Sequence, residues 1–548
     1  MEPRSYNPAQ GLRCGAAGTA LLSRLDASEP EPGPRAARWI LFAILLVAAA
    51  MRIAGAFDDL RFSYHGDEMH FMKRAMALGT GDLNPHWFHK PGLIFYLLAF
   101  CFGLYYLAGS LFGRFDSPEE FGAHFLADTT TFTLIGRMMI VAFGVATVYV
   151  VYRLGRRALR SESAGLGAAA VAALRSPTVG GSQPVKADVL PAVLNAPASL
   201  FYLGSREGAR LRPLVFAGLA AGAAMGTKYY GVILLPGFCL AEVGRRFTHP
   251  GTTWKAGFGR AVLVFACFIG GFFITSPYNF LDSTWGRQMG DRALQASGIK
   301  EAQTEWDPDN DVTFERGPGA VAGASEHLAG RVVDPLALGW VLSALAALGL
   351  LACLARRRWR PYAWHVTWPL VSFWAMATTM GAYHTNWRHL NAVFPLLCTL
   401  LAPGVLLAAR AALPARWTPA AVLLVPLALA APSALTAVKN NAASWPVDSR
   451  TVAYHWIIDT LPSDARMLVD EYGPILQPDR NALERQLGRL EGLPSGEAFT
   501  THQRMRIDLL MRYPPPEARD IDELAHPWWL PKEATDEEIR GTFHDRDM

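Results

Sequence analysis

Apolar residues in this chain fall in long unbroken blocks, not in the alternation of a half-buried strand or the one-sided stripe of a surface helix. Continuous blocks cover 37–56, 132–152, 261–277, 336–355, 362–380, 388–409 and 418–437. Four more, at 163–179, 187–204, 213–227 and 229–244, are broken by Gly and Pro. A further block, 92–112, is equally apolar but rich in aromatics. About 20 apolar residues in a helix cross the roughly 30 Å of bilayer hydrocarbon. The pattern therefore predicts an all-α polytopic membrane protein.

Charge decides which blocks cross. Arg153, Arg156, Arg157 and Arg160 follow one block, and Arg206, Arg210 and Arg212 follow another. Arg245, Arg246, Lys255 and Arg260 form a third cluster, Arg356, Arg357, Arg358 and Arg360 a fourth, and Arg410 with Arg416 a fifth. Cytoplasmic loops carry an excess of Lys and Arg. All five clusters share one side only if 92–112 stays outside, as a juxtamembrane helix on the outer face. The expectation is eleven spans, with up to thirteen as the outer bound. The N-terminus then lies in the cytoplasm and the C-terminus outside, in a multi-pass protein of the inner (plasma) membrane.

This reading divides the chain in three. Residues 1–36, rich in Pro, Gly, Ala and Arg, form a disordered cytoplasmic leader with no signal-peptide pattern. Residues 37–438 form the transmembrane part, with an acid-rich first outer loop at 57–131 and a second long outer loop at 278–335. Residues 439–548 form a small α/β extracytoplasmic domain. Within it, Thr451 to Asp459 reads as a helix stopped by Pro462. Arg466 to Asp470 reads as a short strand, and Glu471 to Pro474 as a turn. Pro514 to Pro516 is a break, and disorder beyond about 530 is as good a reading as order.

Composition agrees. The 548 residues are 51% hydrophobic and only 18% charged, and a formal net charge of +4 gives no basic surface for nucleic acid. Six cysteines, five of them inside apolar blocks, form no CxxC pair and indicate neither a disulfide framework nor a metal site. P-loop, dinucleotide and GxSxG motifs are absent. No repeat at a fixed period is visible, so a transporter built on inverted repeats lacks support.

The chemistry concentrates on the outer side. Tyr64-His65-Gly66-Asp67-Glu68 stands just beyond the first block. A carboxylate at an apolar surface is raised towards the range a general base needs. Asp67 could equally be an N-cap for a helix from Glu68 to Leu78. Lys90, before Pro91, suits either a carrier phosphate or a snorkelling position. Arg137 lies inside a block, where a cation is costly and faces a cavity or a partner, an anion or Asp128. Lys186 and Asp188 sit in the second outer turn, where Asp188 could orient substrate or cap a helix from Val189. Lys228-Tyr229 and Arg388-His389 lie on the same side. His86 and His89 could meet one divalent cation with Asp67 or Glu68, a minor reading. Asp307 to Asp311 resembles a calcium loop without its Gly and distal Glu.

Taken in order, the membrane-edge Asp67-Glu68, His89-Lys90-Pro91, Arg137, Lys186-Ala187-Asp188, Gly226-Thr227-Lys228-Tyr229, Thr275-Ser276-Pro277-Tyr278 and the run from Arg388 to Pro395 resemble the polytopic C-superfamily glycosyltransferases. The similarity is to the family 39 group of protein O-mannosyltransferases and aminoarabinose transferases. It extends to Trp456–Pro462 and the following RMLVDEYGP, and covers about 37–475. It implies transfer of a sugar, with inversion, from a polyprenyl-phosphate donor to an acceptor hydroxyl on a lipid, protein or glycan. Asp67 would then be the base, Glu68 its support, and Asp188 would orient acceptor or sugar. Lys90, Arg137 and Arg388 would hold the donor phosphate, with His65, His89, Lys186, Lys228 and Tyr229 as further substrate contacts. His89 departs from the pattern, standing where aminoarabinose transferases carry a glutamate. No cofactor or metal is implied as a requirement. The alternative from another class is a non-enzymatic lipid or polysaccharide transporter or flippase, which would place charges at mid-membrane depth.

A cysteine at Ser117 tests the topology. It should react with an impermeant thiol reagent added from outside. Labelling only after the membrane is opened would place 57–131 on the inner side.

Overall fold

The computed structural model describes residues 31–524 apart from 207–209, 250, 297–304, 308–311, 315–320, 335–338, 357–358, 380–386, 445–446, 471–472 and 492–497. The leader up to residue 30, most of the calcium-loop-like run, the start of the Glu471 turn and everything past Leu524 lie outside the described residues.

The apolar blocks are helices. Among the described residues six are long and apolar enough to cross a membrane: Pro34–Ala54, Leu93–Leu111, Thr130–Leu159, Trp254–Thr275, Phe394–Ala412 and Ala420–Ala443. The Gly- and Pro-broken blocks give shorter helices, among them Glu162–Leu174, Leu190–Arg206, Arg212–Met225 and Leu234–Val243. Their starts are set by local chemistry: the Ser161 and Thr253 hydroxyls accept from the Ala164 and Ala256 amides. Leu93–Leu111 is charge-free and apolar on both faces. Phe100, Leu104, Leu107 and Leu111 are exposed in one stripe, while Leu98 and Phe102 are buried. Its length and composition are those of a crossing helix. Loop charge had argued for the outer face, and length alone does not weigh that charge.

The chain separates into two compact units that interleave in sequence. The first comprises the chain up to Ala56, Trp87–Ile94 and Arg137–Asn441. Its helices pack through glycines. At Gly218 an added Cβ would stand 2.7 Å from the Val264 carbonyl oxygen, and Gly349 and Gly404 hold the Trp340–Ala355 and Phe394–Ala412 helices backbone to backbone. Small residues at interfaces are how helices approach closely where no hydrophobic force separates them from lipid.

The second unit comprises Phe57–His86, Phe95–Gly136 and the chain from Ala442 onward. The tail thus packs with the first loop. Met467–Asp470 pairs in parallel with Ile521–Leu524, and the Arg480–Glu491 and Ala498–Arg512 helices lie in the connection. Phe62 from the loop joins Tyr454, Leu476, Ala482 and Ile521 in one core. Around it, Arg61 donates to Glu517 Oε2 at 2.5 Å, Tyr454 donates to the same oxygen, and Thr451 donates to Asp59 at 3.2 Å. The Arg450 guanidinium stacks 3.8 Å from the Tyr64 ring centroid.

The hydrogen bond from Tyr454, then that from Arg61, hold the Glu517 carboxyl below the usual glutamate value near 4.5. A depressed folded-state value stabilises above the unfolded one, and the contribution disappears as pH falls through the depressed value. With Glu517 partly exposed it is worth about 1 kcal/mol at most. Protection factors in Ser449–Thr460, which correct for the intrinsic slowing of amide exchange in acid, should fall below about pH 4.5. Glu517→Gln should show faster exchange already at neutral pH and a flatter acid response. Unchanged exchange in the variant would contradict the clamp.

Candidate functional site

The second unit carries the two adjacent acids. Gly66–Ala77 is a helix capped by His65, whose Nδ1 accepts from the Asp67 amide at 3.3 Å. The cap is therefore His65, and the helix opens before Glu68. Asp67 and Glu68 occupy the first turn, where the helix dipole favours negative charge. Asp67 is half-buried; Glu68 is fully buried and accepts from Ser63 Oγ at 2.8 Å. Ser63 reaches it from a left-handed backbone, φ 49°. Asp59 and His86 in the same unit share that conformation, at 36° and 50°. Left-handed non-glycine residues cost of order 1–3 kcal/mol each and cluster at functional sites. His86 Nε2 pairs with Asp82 at 2.7 Å. Among the described residues no group of three His, Cys, Asp or Glu side chains is arranged to hold a metal.

The first unit carries the cations. Lys90 lies in the turn before Leu93–Leu111, and three breaks in helical structure meet there. The Gly92 amide donates to Ser276 Oγ at 2.6 Å, and the Leu93 amide donates to the Gly226 carbonyl at 2.9 Å. Tyr229 OH donates to the Phe88 carbonyl at 2.7 Å and accepts from Asn279 Nδ2 at 3.1 Å, while Asn279 Oδ1 accepts from Ser276 Oγ. The Lys90, Lys228-Tyr229 and Ser276 segments, which are far apart in sequence, thus share one network. Backbone that leaves a helix at membrane depth needs such partners.

Asp188 is at the centre of a second cluster. Its carboxylate meets Lys228 Nζ at 2.5 Å and Lys186 Nζ at 3.7 Å, and all three residues are buried. Arg388 is within electrostatic reach of the same carboxylate. A carboxylate engaged in this way organises cations. Lys228 Nζ also sits 5.8 Å from the Tyr230 ring, which packs on His389 with centroids 5.0 Å apart. Arg137 is buried and donates to the Ala56 carbonyl at 3.3 Å, just past the end of Pro34–Ala54. His89 is exposed beside Trp87. Placed by unit, Asp67, Glu68 and His65 belong to one, and Lys90, His89, Arg137, Lys186, Asp188, Lys228, Tyr229 and Arg388 to the other.

Sequence reasoning missed Arg52, in the last turn of the first helix and 1% exposed. It donates to the Ala172 and Ala173 carbonyls at 3.2 and 3.1 Å. These are end carbonyls of Glu162–Leu174 that no residue of that helix can satisfy. Ser63 and Asn279 also act through others. A buried arginine near a span end was the signal for Arg52; nothing local marks Ser63 or Asn279.

The fold and the clusters define a helical membrane protein with a carboxylate pair on a helix N-terminus and a buried cation-rich group. The family model described as "Dolichyl-phosphate-mannose-protein mannosyltransferase" matches residues 128–270, a stretch holding Arg137, Lys186, Asp188, Lys228 and Tyr229. Two solved structures are similar. One is ArnT from Cupriavidus metallidurans bound to undecaprenyl phosphate, 14% identical, covering 85% of this chain and 87% of that one, TM-score 0.45. The other is the Archaeoglobus fulgidus oligosaccharyltransferase in complex with zinc and sulfate, 14% identical, covering 89% of this chain and 62% of that one, TM-score 0.45. Comparison with curated proteins finds no match.

Gly226 tests the network. A Cβ there would collide with Thr275 Oγ1 and stand 2.9 Å from its Cβ, whereas nothing lies within 4 Å of one at Gly270. Gly226→Ala should lower stability by about 1–3 kcal/mol, read as a fall in thermal midpoint in detergent, while Gly270→Ala should not. Equal midpoints would show that the three segments are not held together.

Proposed function

We propose that this chain is a glycosyltransferase that moves a sugar from a polyprenyl-phosphate donor to an acceptor hydroxyl at the outer face of the cytoplasmic membrane. The observation that carries this reading is the pairing of Lys186 and Lys228 with one buried carboxylate, Asp188, inside the stretch that matches the mannosyltransferase family model, with Arg388 within electrostatic reach. In the same unit the backbone on either side of Lys90, at Phe88 and Gly92, is held by the Ser276–Asn279–Tyr229 network. A cation-rich group in apolar surroundings suits an anionic leaving group.

In the reaction Asp67 accepts the acceptor's hydroxyl proton as that oxygen attacks the anomeric carbon. The bond from that carbon to the phosphate oxygen breaks, its electron pair stays with the phosphate, and the anomeric centre inverts. Lys90, Arg137 and Arg388 meet the charge that develops on the phosphate. Glu68, locked by Ser63, keeps the first turn of the Gly66–Ala77 helix in shape for Asp67. Asp188 fixes Lys228 and Lys186, and Tyr229 and His89 contact substrate. Base catalysis of this kind is worth about 100- to 10,000-fold; the remainder of the rate comes from holding both substrates together. The acceptor is a lipid, protein or glycan hydroxyl.

Asp67→Asn should cut transfer by at least about 100-fold with donor binding nearly intact. Undiminished turnover in folded variant would remove Asp67 from the role. Lys90→Ala and Arg137→Ala should each weaken binding of a polyprenyl-phosphate donor in nanodiscs. The double variant should lose less than the sum, because groups touching one phosphate couple. Arg137→Lys should restore only part, since an ammonium lacks the guanidinium fork. Parent-like binding in both single variants would leave Arg137 a structural role, as at the Ala56 carbonyl.

A further inference from the structure

The end of the Trp254–Thr275 helix remote from Ser276 carries a second charged cluster that the reaction does not use. A helix of 22 residues is about 33 Å long, so this cluster lies a full span away from the Lys90 network. Glu242 is fully buried there. Arg260 Nε donates to its Oε2 at 2.5 Å, and Arg245 Nη1 approaches its Oε1 at 3.7 Å. Arg206 closes the group, donating to the Ala241 carbonyl at 3.1 Å, while His249 Nε2 bonds the Arg206 carbonyl at 3.1 Å. One acid thus anchors a patch whose rim, Arg246 and Lys255, is exposed.

The rim is aromatic as well as basic. The Arg246 guanidinium lies 5.4 Å from the Trp254 ring centroid, and Phe247 meets Trp254 edge-on at 5.3 Å. From Trp254 an exposed apolar stripe runs along the helix through Phe258, Val262, Phe265, Ile269 and Phe273. The spacing of three and four residues keeps these on one face. The helix is itself long and apolar enough to cross a membrane. A lipid chain therefore has a face to lie on, and its headgroup falls where the stripe meets the cations. Basic pockets at span ends take anionic headgroups, and each cation near the membrane surface adds to the attraction.

We propose that Arg246 and Lys255, backed by the buried Arg245–Glu242–Arg260 group, bind the headgroup of an anionic phospholipid whose chain lies on the Trp254–Phe273 stripe. The site is separate from the candidate donor site and faces the leaflet at the other end of the helix. A soluble protein partner would leave the stripe uncovered, so the lipid is the occupant that satisfies both features.

The test is native mass spectrometry of the full chain in detergent, titrated with phosphatidylglycerol or phosphatidylcholine of identical acyl chains. The parent should retain the anionic lipid in clear preference. The double variant R246Q/K255Q, changed only at exposed positions, should lose roughly ten- to thirtyfold in affinity for it, with phosphatidylcholine retention unchanged. R246K/K255R should keep the preference. Equal retention of both lipids by the parent, or an undiminished preference in R246Q/K255Q, would overturn the site. So would displacement of phosphatidylglycerol by millimolar inorganic phosphate, which would mean a small-anion site with no use for the apolar stripe.

Discussion

Backbone that leaves a helix in apolar surroundings must find its hydrogen-bond partners inside the protein, and much of the first unit follows from that constraint. Helical structure breaks before Leu93, after Met225 and after Thr275, and the free groups of each break are satisfied by the others. The Gly92 and Leu93 amides, which no residue of their own helix can accept from, go to Ser276 and Gly226. Tyr229 and Asn279 complete the set with side chains. Uninterrupted helices would have needed none of these contacts. The interruptions create the turn that carries Lys90, and the network makes them tolerable.

The same economy governs charge. Buried cations are costly unless paired, and each one described above has a partner that also orders something. Asp188 fixes two lysines, Arg52 closes the end of the Glu162–Leu174 helix, and Arg137 meets the chain just past Pro34–Ala54. Holding cations with their geometry already set costs nothing at the moment a leaving group departs, the feature that makes fixed dipoles and charges effective in catalysis. In the second unit the strained backbone at Ser63 serves the buried Glu68 carboxylate in the same way.

The sequence made some of this legible and hid the rest for physical reasons. Apolar blocks became helices because a run of about 20 apolar residues has few other stable forms in lipid. Pro and Gly located the breaks. The strand at Met467–Asp470 and the helix at Ser449–Thr460 were visible in local alternation and in Pro462. The pairing of Asp188 with Lys228 was not visible, because nothing in the sequence links positions forty apart. The helix cap fell on His65 and not on Asp67, because the helix opens at Gly66 and the His65 ring nitrogen accepts from the Asp67 amide. Nor could Arg61, Phe62 and Tyr64 announce that they pack on Tyr454, Glu517 and Arg450 far down the chain. Interleaving of this kind lives in tertiary contacts, which neither periodicity nor spacing records.

Transfer of a sugar from a lipid carrier changes both the carrier pool and the envelope. The direct measurement is mass spectrometry of envelope lipids, proteins and glycans from source cells with and without the gene. The account predicts that one envelope species loses a mass of one sugar when the gene is deleted, while the polyprenyl-phosphate-linked form of that sugar accumulates, and that re-expression reverses both. An envelope unchanged in every glycosylated species, with no accumulated carrier-linked sugar, would contradict it.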